Sequence, residues 1–254
     1  MKLTVLGSGT GQPHATRGSS GYWLKADGGT LMLDCSASSL RRMAEYDLDW
    51  PNLDAIWISH FHLDHIGGIA PFLAATKHAE GTQDRTKPLR IFGPTGTRNL
   101  LNAFNNANDY RLFKQRFSVE IEEVEELEKF ELLPGLEAVA LSTPHTPESH
   151  ALHLRENEKV LVYTSDTGFT ETLAAFGKDS DLFITECSYL RDKPVDKHLE
   201  LAEAIHIIRR ADPKRAMLTH FYPAWDNIDL EKEVAKFSPG CEIIEATDGL
   251  QLGL

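Results

Sequence analysis

The stretch 58–68, Ile-Ser-His-Phe-His-Leu-Asp-His-Ile-Gly-Gly, limits what this chain can fold into more than any other part of it. It follows the apolar run 55–58, which predicts a buried strand, and its two glycines lead into an apolar helix predicted over 69–75. Four side chains that bind metals occur within six residues: His60, His62, Asp64 and His65. Residues two apart on an extended backbone point the same way, and a mixture of imidazoles and a carboxylate suits Zn²⁺. The stretch therefore predicts a strand end that feeds two adjacent metal ions.

Three more candidate ligands follow predicted strands elsewhere in the chain. His145 comes after the strand predicted over 136–141, Asp166 after 160–163, and His220 after 215–218. Strand ends at one edge of a sheet are places where catalytic residues converge. We therefore expect these three side chains to complete the two metal sites.

The order of predicted elements indicates one α/β domain that spans residues 1–254. Strands dominate first, strands then alternate with helices, and no linker rich in Pro, Gly or Ser separates them. This pattern favours two mixed sheets that pack face to face with helices outside. Helices are predicted over 40–46, capped by the serines at 36–39, and from His198 onward. The stretch 120–131, with seven acidic residues, is predicted to be a solvated edge.

The motif His60-x-His62-x-Asp64-His65, followed by His145, Asp166 and His220, resembles that of the metallo-β-lactamase superfamily. Within the superfamily, segments 85–94, 181–188 and 219–223 are similar to the ribonuclease Z branch. The similarity covers nearly the whole chain and implies a four-layer αββα fold.

The resemblance also assigns roles to individual residues. It implies that His60, His62 and His145 hold one zinc ion, that Asp64, His65 and His220 hold the other, and that Asp166 bridges them. Two Zn²⁺ per chain are expected, although the sequence does not distinguish zinc from Mn²⁺. Asp64 would also orient the nucleophile. Glu186 and His198 occupy the places of a proton-shuttling pair, with a polar helix cap as the alternative for His198.

A dinuclear metal-dependent phosphodiesterase is the function that these residues favour. Ribonuclease Z commonly carries a long RNA-gripping arm between the positions of His145 and Asp166, where this chain has twenty residues, 146–165. The net charge of −12, from 38 acidic and 26 basic residues, also disfavours a large nucleic-acid footprint. We expect small or cyclic phosphodiesters or short RNA as substrates. A hydrolase of lactones, thioesters or amides is the alternative, because its metal ligands are the same.

The remaining features of the sequence limit where the protein can be located and how it can assemble. No run approaches the ~20 apolar residues of a membrane span, and three widely spaced cysteines, Cys35, Cys187 and Cys241, favour a reducing cytoplasm. A homodimer is compatible with the sequence. Asp34 follows a predicted strand and either supports a metal ligand or caps the next helix. Five histidines are expected to be structural, although one of the two near His145 could line the pocket: His14, His78, His150, His153 and His206.

Overall fold

Two seven-stranded mixed sheets form the framework of the protein, whose residues 1–254 are described by a computed structural model. The first sheet contains β1 (Lys2–Gly7), β2 (Gly21–Ala26), β3 (Gly29–Leu33), β4 (Ala55–Trp57), β5 (Leu89–Gly93) and β6 (Val119–Glu123). The second contains β7 (Lys129–Leu133), β8 (Leu136–Ser142), β9 (His150–Glu156), β10 (Lys159–Tyr163), β11 (Leu182–Glu186), β12 (Arg215–Thr219) and β13 (Glu242–Glu245). The last strand, β14 (Gln251–Gly253), pairs with β1 and completes the first sheet.

Each sheet is antiparallel on one side and parallel on the other. Strands β3 to β6 run parallel in the first sheet, and β10 to β13 run parallel in the second. Strand β8 points in the same direction as β10, because both pair antiparallel with β9. The strands that precede the candidate ligands therefore all end at the same edge of their sheet.

Seven α-helices cover the outer faces of the sheets: α1 (Ala37–Glu45), α2 (Leu63–Ile66), α3 (Ile69–Thr76), α4 (Thr97–Asn106), α5 (Thr172–Phe176), α6 (Leu201–Ala211) and α7 (Leu230–Ala235). Side chains of β3 alternate between two cores, as the period of a strand requires. Leu31 and Leu33 pack into the core shared by both sheets, whereas Met32 joins Met43 of α1 and Phe72 of α3. Burial on both faces explains why inner parallel strands such as β4 and β11 are mostly apolar runs. The layer order confirms the predicted αββα arrangement.

The acidic stretch 120–131 contains parts of two strands that the sequence analysis did not predict. Its glutamates are mostly exposed, as expected, but β6 and β7 form the edges of the two sheets. Phe130 of β7 stacks on Trp57 and on Phe92, with both pairs of ring centroids 5.9 Å apart. The predicted solvated edge is confirmed, but the outward charges hid the two strands and this inward apolar contact.

Two predicted helix starts are corrected. Helix α1 begins at Ala37 rather than at 40, and the Ser36 hydroxyl donates to the carbonyl of Ser19 instead of capping the helix. Helix α6 begins at Leu201, where Glu200 and Glu203 form a reciprocal capping box. His198 therefore lies in the preceding loop and does not open the helix. None of the helices combines the length and apolarity needed to cross a bilayer.

Candidate metal centre

The seven predicted ligands converge in two groups at the carboxyl ends of the strands. His60, His62, His145 and Asp166 form one group, and Asp64, His65 and His220 form the other. Within each group the ligand atoms all lie within 4.8 Å of one another. The short helix α2 follows His62 and turns Asp64 and His65 toward the second group. One strand end thus supplies both groups, as the motif predicted.

Asp166 lies between the two groups. Its Oδ1 atom is 3.3 Å from Nε2 of His65 and 3.3 Å from Nε2 of His220. Its Oδ2 atom is 3.7 Å from Nε2 of His145 and 3.9 Å from Nε2 of His60. Each carboxylate oxygen therefore faces a different group, which is the geometry of a bridging ligand.

Unpartnered imidazole nitrogens test whether these residues fit metal ions. The Nε2 atoms of His60, His65 and His220 are buried and have no hydrogen-bond partner. Buried polar atoms are nearly always paired, and an unpaired one costs about 1–3 kcal/mol. A cation between the imidazoles would accept these lone pairs, and three or four N and O donors per group suit Zn²⁺. The residues present fit a pair of divalent transition-metal ions.

The opposite ring nitrogen of most ligating imidazoles is held by a neighbour. Nδ1 of His145 donates to the carbonyl of Lys197 at 2.8 Å. Nδ1 of His60 lies 3.0 Å from the Ser59 hydroxyl, and Nδ1 of His220 lies 3.0 Å from the Ser188 hydroxyl. Such partners fix the ring orientation and leave Nε2 free for a metal. His62 differs, because it is exposed and its Nδ1 atom lies 3.0 Å from Nε2 of His145.

Asp34 supports His65 and does not cap helix α1. Its fully buried carboxylate accepts a hydrogen bond from Nδ1 of His65 at 2.7 Å. It also accepts bonds from the backbone and hydroxyl of Ser59, both at 2.8 Å, and from the hydroxyl of Tyr163 at 2.7 Å. Tyr163 belongs to β10 of the second sheet, so this carboxylate connects the two sheets beneath the site. Of the two predicted alternatives for Asp34, support of a metal ligand is the one observed.

Three residues at the site have backbones in the left-handed region. They are Asp34 after β3 (φ 55°), Ser165 after β10 (φ 53°) and His220 after β12 (φ 59°). This conformation is uncommon for residues other than glycine and costs on the order of 1 kcal/mol or more per residue. Each one turns the chain sharply where a strand ends. The turns at Ser165 and His220 direct two ligands, Asp166 and His220, into the space between the sheets.

Charges within the cluster shift its protonation equilibria in opposite directions. Burial opposes the charge on His65, but Asp166 and Asp34 raise its pKa well above the usual value. Burial and the neighbouring imidazole of His65 lower the pKa of His60. Burial disfavours the carboxylate of Asp166, yet His220 and His65 hold its pKa well below the usual value. Asp166 thus remains a negatively charged carboxylate between the two groups.

Glu186 and His198 form a hydrogen-bonded pair beside this cluster. Nδ1 of His198 donates to Oε1 of Glu186 at 2.9 Å. The buried carboxylate also accepts from Ser188 and from the backbone N–H groups of Thr167 and Leu199. Burial disfavours the imidazolium, but the hydrogen bond to Glu186 raises the pKa of His198 to about 8. The structure therefore brings together the two residues predicted as a proton-shuttling pair, although His198 is in a loop.

His198 itself reaches the metal ligands. One of its ring nitrogens lies within 4.8 Å of ligand atoms of both Asp166 and His220. Its ring is stacked parallel to that of His220, with centroids 5.5 Å apart. The pair Glu186 and His198 is thus adjacent to the second group of ligands rather than elsewhere on the surface.

Two tyrosines that the sequence analysis did not identify border the same imidazoles. The rings of Tyr189 and Tyr222 are stacked with centroids 5.0 Å apart. Tyr222 stands nearly perpendicular to His198 and His220, at centroid distances of 6.3 and 6.4 Å. Both tyrosines are half-buried, so their rings form part of the wall of the site. The position of Tyr222, two residues after a ligand, was the only signal in the sequence.

One glycine borders the site, whereas the other histidines of the chain lie outside the ligand groups. A Cβ atom on Gly11 would lie 3.3 Å from the carboxylate of Asp64, so the loop that follows β1 borders the site. His14 pairs with Asp226 and His206 with Glu171, each at 2.8 Å. None of the five histidines expected to be structural belongs to the ligand groups: His14, His78, His150, His153 and His206.

Known proteins similar to this chain were found by sequence. A family model described as "Anti-Pycsar protein Apyc1" matches residues 1–241. A "Probable metallo-hydrolase YhfI" of Bacillus subtilis is 27% identical over 236 residues, with 92% of each chain covered. A "Ribonuclease Z" of Clostridioides difficile is 26% identical, with 89% of this chain and 90% of the relative covered. The predicted similarity to the ribonuclease Z branch is therefore confirmed.

Solved structures similar to this one confirm the fold. The crystal structure of the metallo-β-lactamase fold protein YhfI from Bacillus subtilis superimposes with a TM-score of 0.81 at 24% identity, covering 99% of this chain and 98% of that one. The short form of human tRNase Z superimposes with a TM-score of 0.78 at 20% identity, covering 100% and 99% of the two chains. At these identities the likeness establishes the metallo-β-lactamase fold.

Proposed function

This chain belongs to the Anti-Pycsar protein Apyc1 family and is a metal-dependent hydrolase, and on that premise we propose that it is a dinuclear zinc phosphodiesterase. Its substrates in this proposal are small or cyclic phosphodiesters or short RNA. The observation that carries the proposal is the hydrogen bond of 2.9 Å between Glu186 and His198, next to the double group of metal ligands. This pair provides a proton donor where a phosphodiester bond would break.

The ligand roles in the proposal follow the two groups and the bridging carboxylate. His60, His62 and His145 would hold one zinc ion, Asp64, His65 and His220 would hold the other, and Asp166 would contribute to both sites; Mn²⁺ is the alternative metal. When bound, two such ions activate the attacking water and neutralise charge on the phosphoryl oxygens. Asp64, one of these ligands, orients the nucleophile.

His198 and Glu186 act on the leaving group. The imidazolium of His198 protonates the departing alkoxide, which would otherwise leave as a high-energy anion. Glu186 holds Nδ1–H of His198 and stabilises the imidazolium before the transfer. The carboxylate is itself fixed by three further hydrogen bonds, so the donor keeps one orientation. This arrangement leaves Nε2 of His198 as the nitrogen that faces the substrate.

The wall of the site favours a small organic ester. The stacked rings of Tyr189 and Tyr222 lie beside His198, so the group attached to the leaving oxygen would contact them. A planar ring such as a nucleobase suits such a surface, because bases stack on aromatic side chains. The segment between His145 and Asp166 is the hairpin of β9 and β10, and the net charge is −12. Both features support a small substrate over a folded RNA.

The proposal also includes one domain over residues 1–254 and a cytoplasmic location. The three cysteines of the chain form no disulfide bond in the structure, which is the state that a reducing compartment favours. The proposal is also compatible with a homodimer of this chain.

A substrate panel tests the reaction type. The zinc-loaded enzyme should be assayed with bis(4-nitrophenyl) phosphate, a nucleoside cyclic phosphate, a γ-lactone and a glutathione thioester. We expect the two phosphodiesters to be hydrolysed with a kcat/KM at least about a hundredfold above the carbonyl substrates. Asp166→Asn, which removes one charge from the bridging position, is the matched inactive control. A preference for the lactone or thioester would replace the proposal with the carbonyl hydrolase that shares these ligands.

A further inference from the structure

The hydroxyl group of Ser188 joins a metal ligand to the proton-donor pair. Ser188 lies two residues after Glu186, the last residue of β11, and is fully buried. Its Oγ atom lies 2.5 Å from Oε2 of Glu186 and 3.0 Å from Nδ1 of His220. The same atom lies 3.3 Å from Nδ1 of His198. One buried hydroxyl therefore contacts both residues of the proton-donor pair and one ligand of the second group.

The pairing of two inner strands brings these residues together. Strands β11 and β12 are parallel neighbours, and their register places Glu186 beside Thr219. The backbone N–H of Cys187 then donates to the carbonyl of Thr219 at 2.8 Å, just beyond the end of β11. Ser188 and His220 follow directly, and the left-handed backbone of His220 (φ 59°) turns the chain at this point. The contact between the serine and the ligand thus follows from the architecture of the second sheet.

The direction of each hydrogen bond in this chain of contacts follows from the groups involved. An ionised carboxylate only accepts hydrogen bonds, and a serine hydroxyl has a single hydrogen to donate. The O–H of Ser188 therefore points to Glu186, and the serine oxygen accepts the N–H of His220. This places the hydrogen of His220 on Nδ1, because the bond made by one ring nitrogen sets the state of the other. Its Nε2 atom, which faces Asp166, is left with a lone pair for a metal.

The same arrangement occurs behind a ligand of the first group. The hydroxyl of Ser59 donates to Oδ2 of Asp34 at 2.8 Å, and its oxygen lies 3.0 Å from Nδ1 of His60. Asp34 also holds a second imidazole directly, that of His65, at 2.7 Å. Glu186 likewise holds one imidazole directly and another through a serine. The recurrence of this arrangement in both sheets favours a role at the ligands over incidental packing.

We propose that Ser188 is a positioning residue for the second metal site, through which Glu186 supports His220. The inference rests on the proposed metal sites but not on the reaction that they catalyse. One oxygen of Glu186 orients the proton donor His198, and the other acts on a metal ligand through the serine hydroxyl. Hydrogen bonds in such a chain polarise one another, so the charge of Glu186 makes Nε2 of His220 a stronger donor to a metal. The loss of Ser188 should therefore cost metal affinity, although its hydroxyl is not a ligand.

Zinc affinity, measured by competition of the loaded protein with increasing chelator, tests the proposal. Ser188→Ala should weaken the binding of one of the two ions about 10–100-fold, the usual effect of losing a partner behind a ligand. The other ion should be held as in the wild type. Ser180→Ala is the matched control, because Ser180 is also fully buried but its hydroxyl has no hydrogen-bond partner. Glu186→Gln provides a second measurement that keeps both the serine and the shape of the side chain, and it should weaken the same ion.

The double variant Glu186→Gln/Ser188→Ala tests whether the carboxylate acts through the serine. If it does, Glu186→Gln should weaken zinc binding when Ser188 is present and add little when Ser188 has already been replaced. Such non-additive losses are the sign of two residues that act as one unit. Cadmium-113 NMR of the cadmium-loaded protein identifies the ion affected, because Ser188→Ala should shift one of the two resonances and leave the other in place.

Three results would overturn the role of Ser188: an unchanged zinc affinity in Ser188→Ala, additive losses in the double variant, or equal shifts of both cadmium resonances. Neither affinity nor the cadmium spectrum requires turnover. A failure of the serine to act on His220 would therefore be distinguished from a failure of the loaded enzyme to hydrolyse phosphodiesters, which the substrate panel measures.

Discussion

The carboxylate of Asp34 accepts the Nδ1–H of His65 at 2.7 Å, on the side of the ring opposite the Nε2 atom that faces Asp166. This contact fixes both the tautomer and the orientation of a ligand whose own position in the chain is set by helix α2. It also keeps negative charge behind the imidazole, which makes Nε2 a stronger donor to a metal.

Asp34→Asn should therefore weaken metal binding at the second group. The loss of a carboxylate partner behind a ligating histidine typically costs 10–100-fold in metal affinity. Competition titration against a zinc chelator, with metal content measured by mass spectrometry, provides the readout. Asp54→Asn is a suitable control, because Asp54 precedes β4, at the end of the strand opposite His60, and its carboxylate interacts with Thr30 and Lys87 rather than with a ligand. Unchanged zinc affinity in Asp34→Asn would show that the contact is merely structural.

Metal loading should stabilise the fold, because three buried imidazole nitrogens lack partners without it. We expect two ions per chain and a fall in the free energy of unfolding of about 3 kcal/mol or more after chelation, as for a ligand at a hundredfold excess over its Kd. Thermal unfolding with and without chelator measures this, and elemental analysis counts the ions. His220→Ala should retain about one ion and respond less to chelation. A fully loaded wild-type sample that contains a single ion would contradict the two-group assignment.

The role of His198 can be tested through the leaving group. His198→Ala should lower kcat for an alkyl phosphodiester by about 10²–10⁴-fold, the usual contribution of a general acid. Nitrophenyl esters should lose much less, because nitrophenolate is a stable anion that needs no proton. Glu186→Gln should show the same pattern more weakly. Equal losses on both ester types would remove His198 from the proton-donor role.

The ligands could be predicted from the sequence because they form one dense motif and three further positions that directly follow apolar strands. The motif around His60 placed four of them within six residues, and strand ends predicted His145, Asp166 and His220. What the sequence did not provide was the order of strands, which decides whether those ends meet. That order runs from β13 to β7 in the second sheet and depends on contacts between distant parts of the chain.

The incorrect or missing predictions, for helix α6, strand β7 and the tyrosine pair, each have a physical cause. Helix α6 is capped by Glu200, which is not among the side chains preferred at that position, so the helix was predicted to begin at His198. Strand β7 was missed because glutamate and lysine are depleted in strands and surround its inward-facing Phe130. The stacking of Tyr189 on Tyr222 joins residues from different loops, and no local pattern predicts such a contact.

The tyrosine pair should matter for substrates with a planar ring. Tyr222→Leu should raise KM for a nucleoside cyclic phosphate about 5–150-fold, since stacking of a base contributes about 1–3 kcal/mol. The corresponding sugar cyclic phosphate without a base should change little, which makes it the internal control. Tyr222→Phe should retain most of the affinity, because the ring remains. An equal rise in KM for both substrates in Tyr222→Leu would contradict stacking of the base on Tyr222.

A last prediction concerns stability and rests on a carboxylate far from the metal ligands. Asp181, directly before β11, is 5% exposed and accepts hydrogen bonds from the backbone of Val160 at 2.9 Å and from Lys214 at 2.8 Å. Burial opposes its charge, but Lys214 and Val160 lower its pKa below the usual value. A carboxyl whose pKa is lower in the folded state stabilises the fold above its unfolded pKa of about 3.9. This contribution is lost as the pH falls through the folded value.

Asp181→Asn should therefore destabilise the protein by about 1.5–3 kcal/mol at pH 7, the range for a hydrogen bond to a charged group. The difference between variant and wild type should shrink below about pH 4, where the wild-type carboxyl also becomes neutral. Urea unfolding at a series of pH values, on chelator-treated protein, measures this without interference from metal loss at low pH. Asp179→Asn serves as the control, because Asp179 is exposed and forms an ion pair only with the half-exposed Lys178. A destabilisation of Asp181→Asn that is the same at pH 7 and pH 3 would show that shape, not charge, makes the contribution.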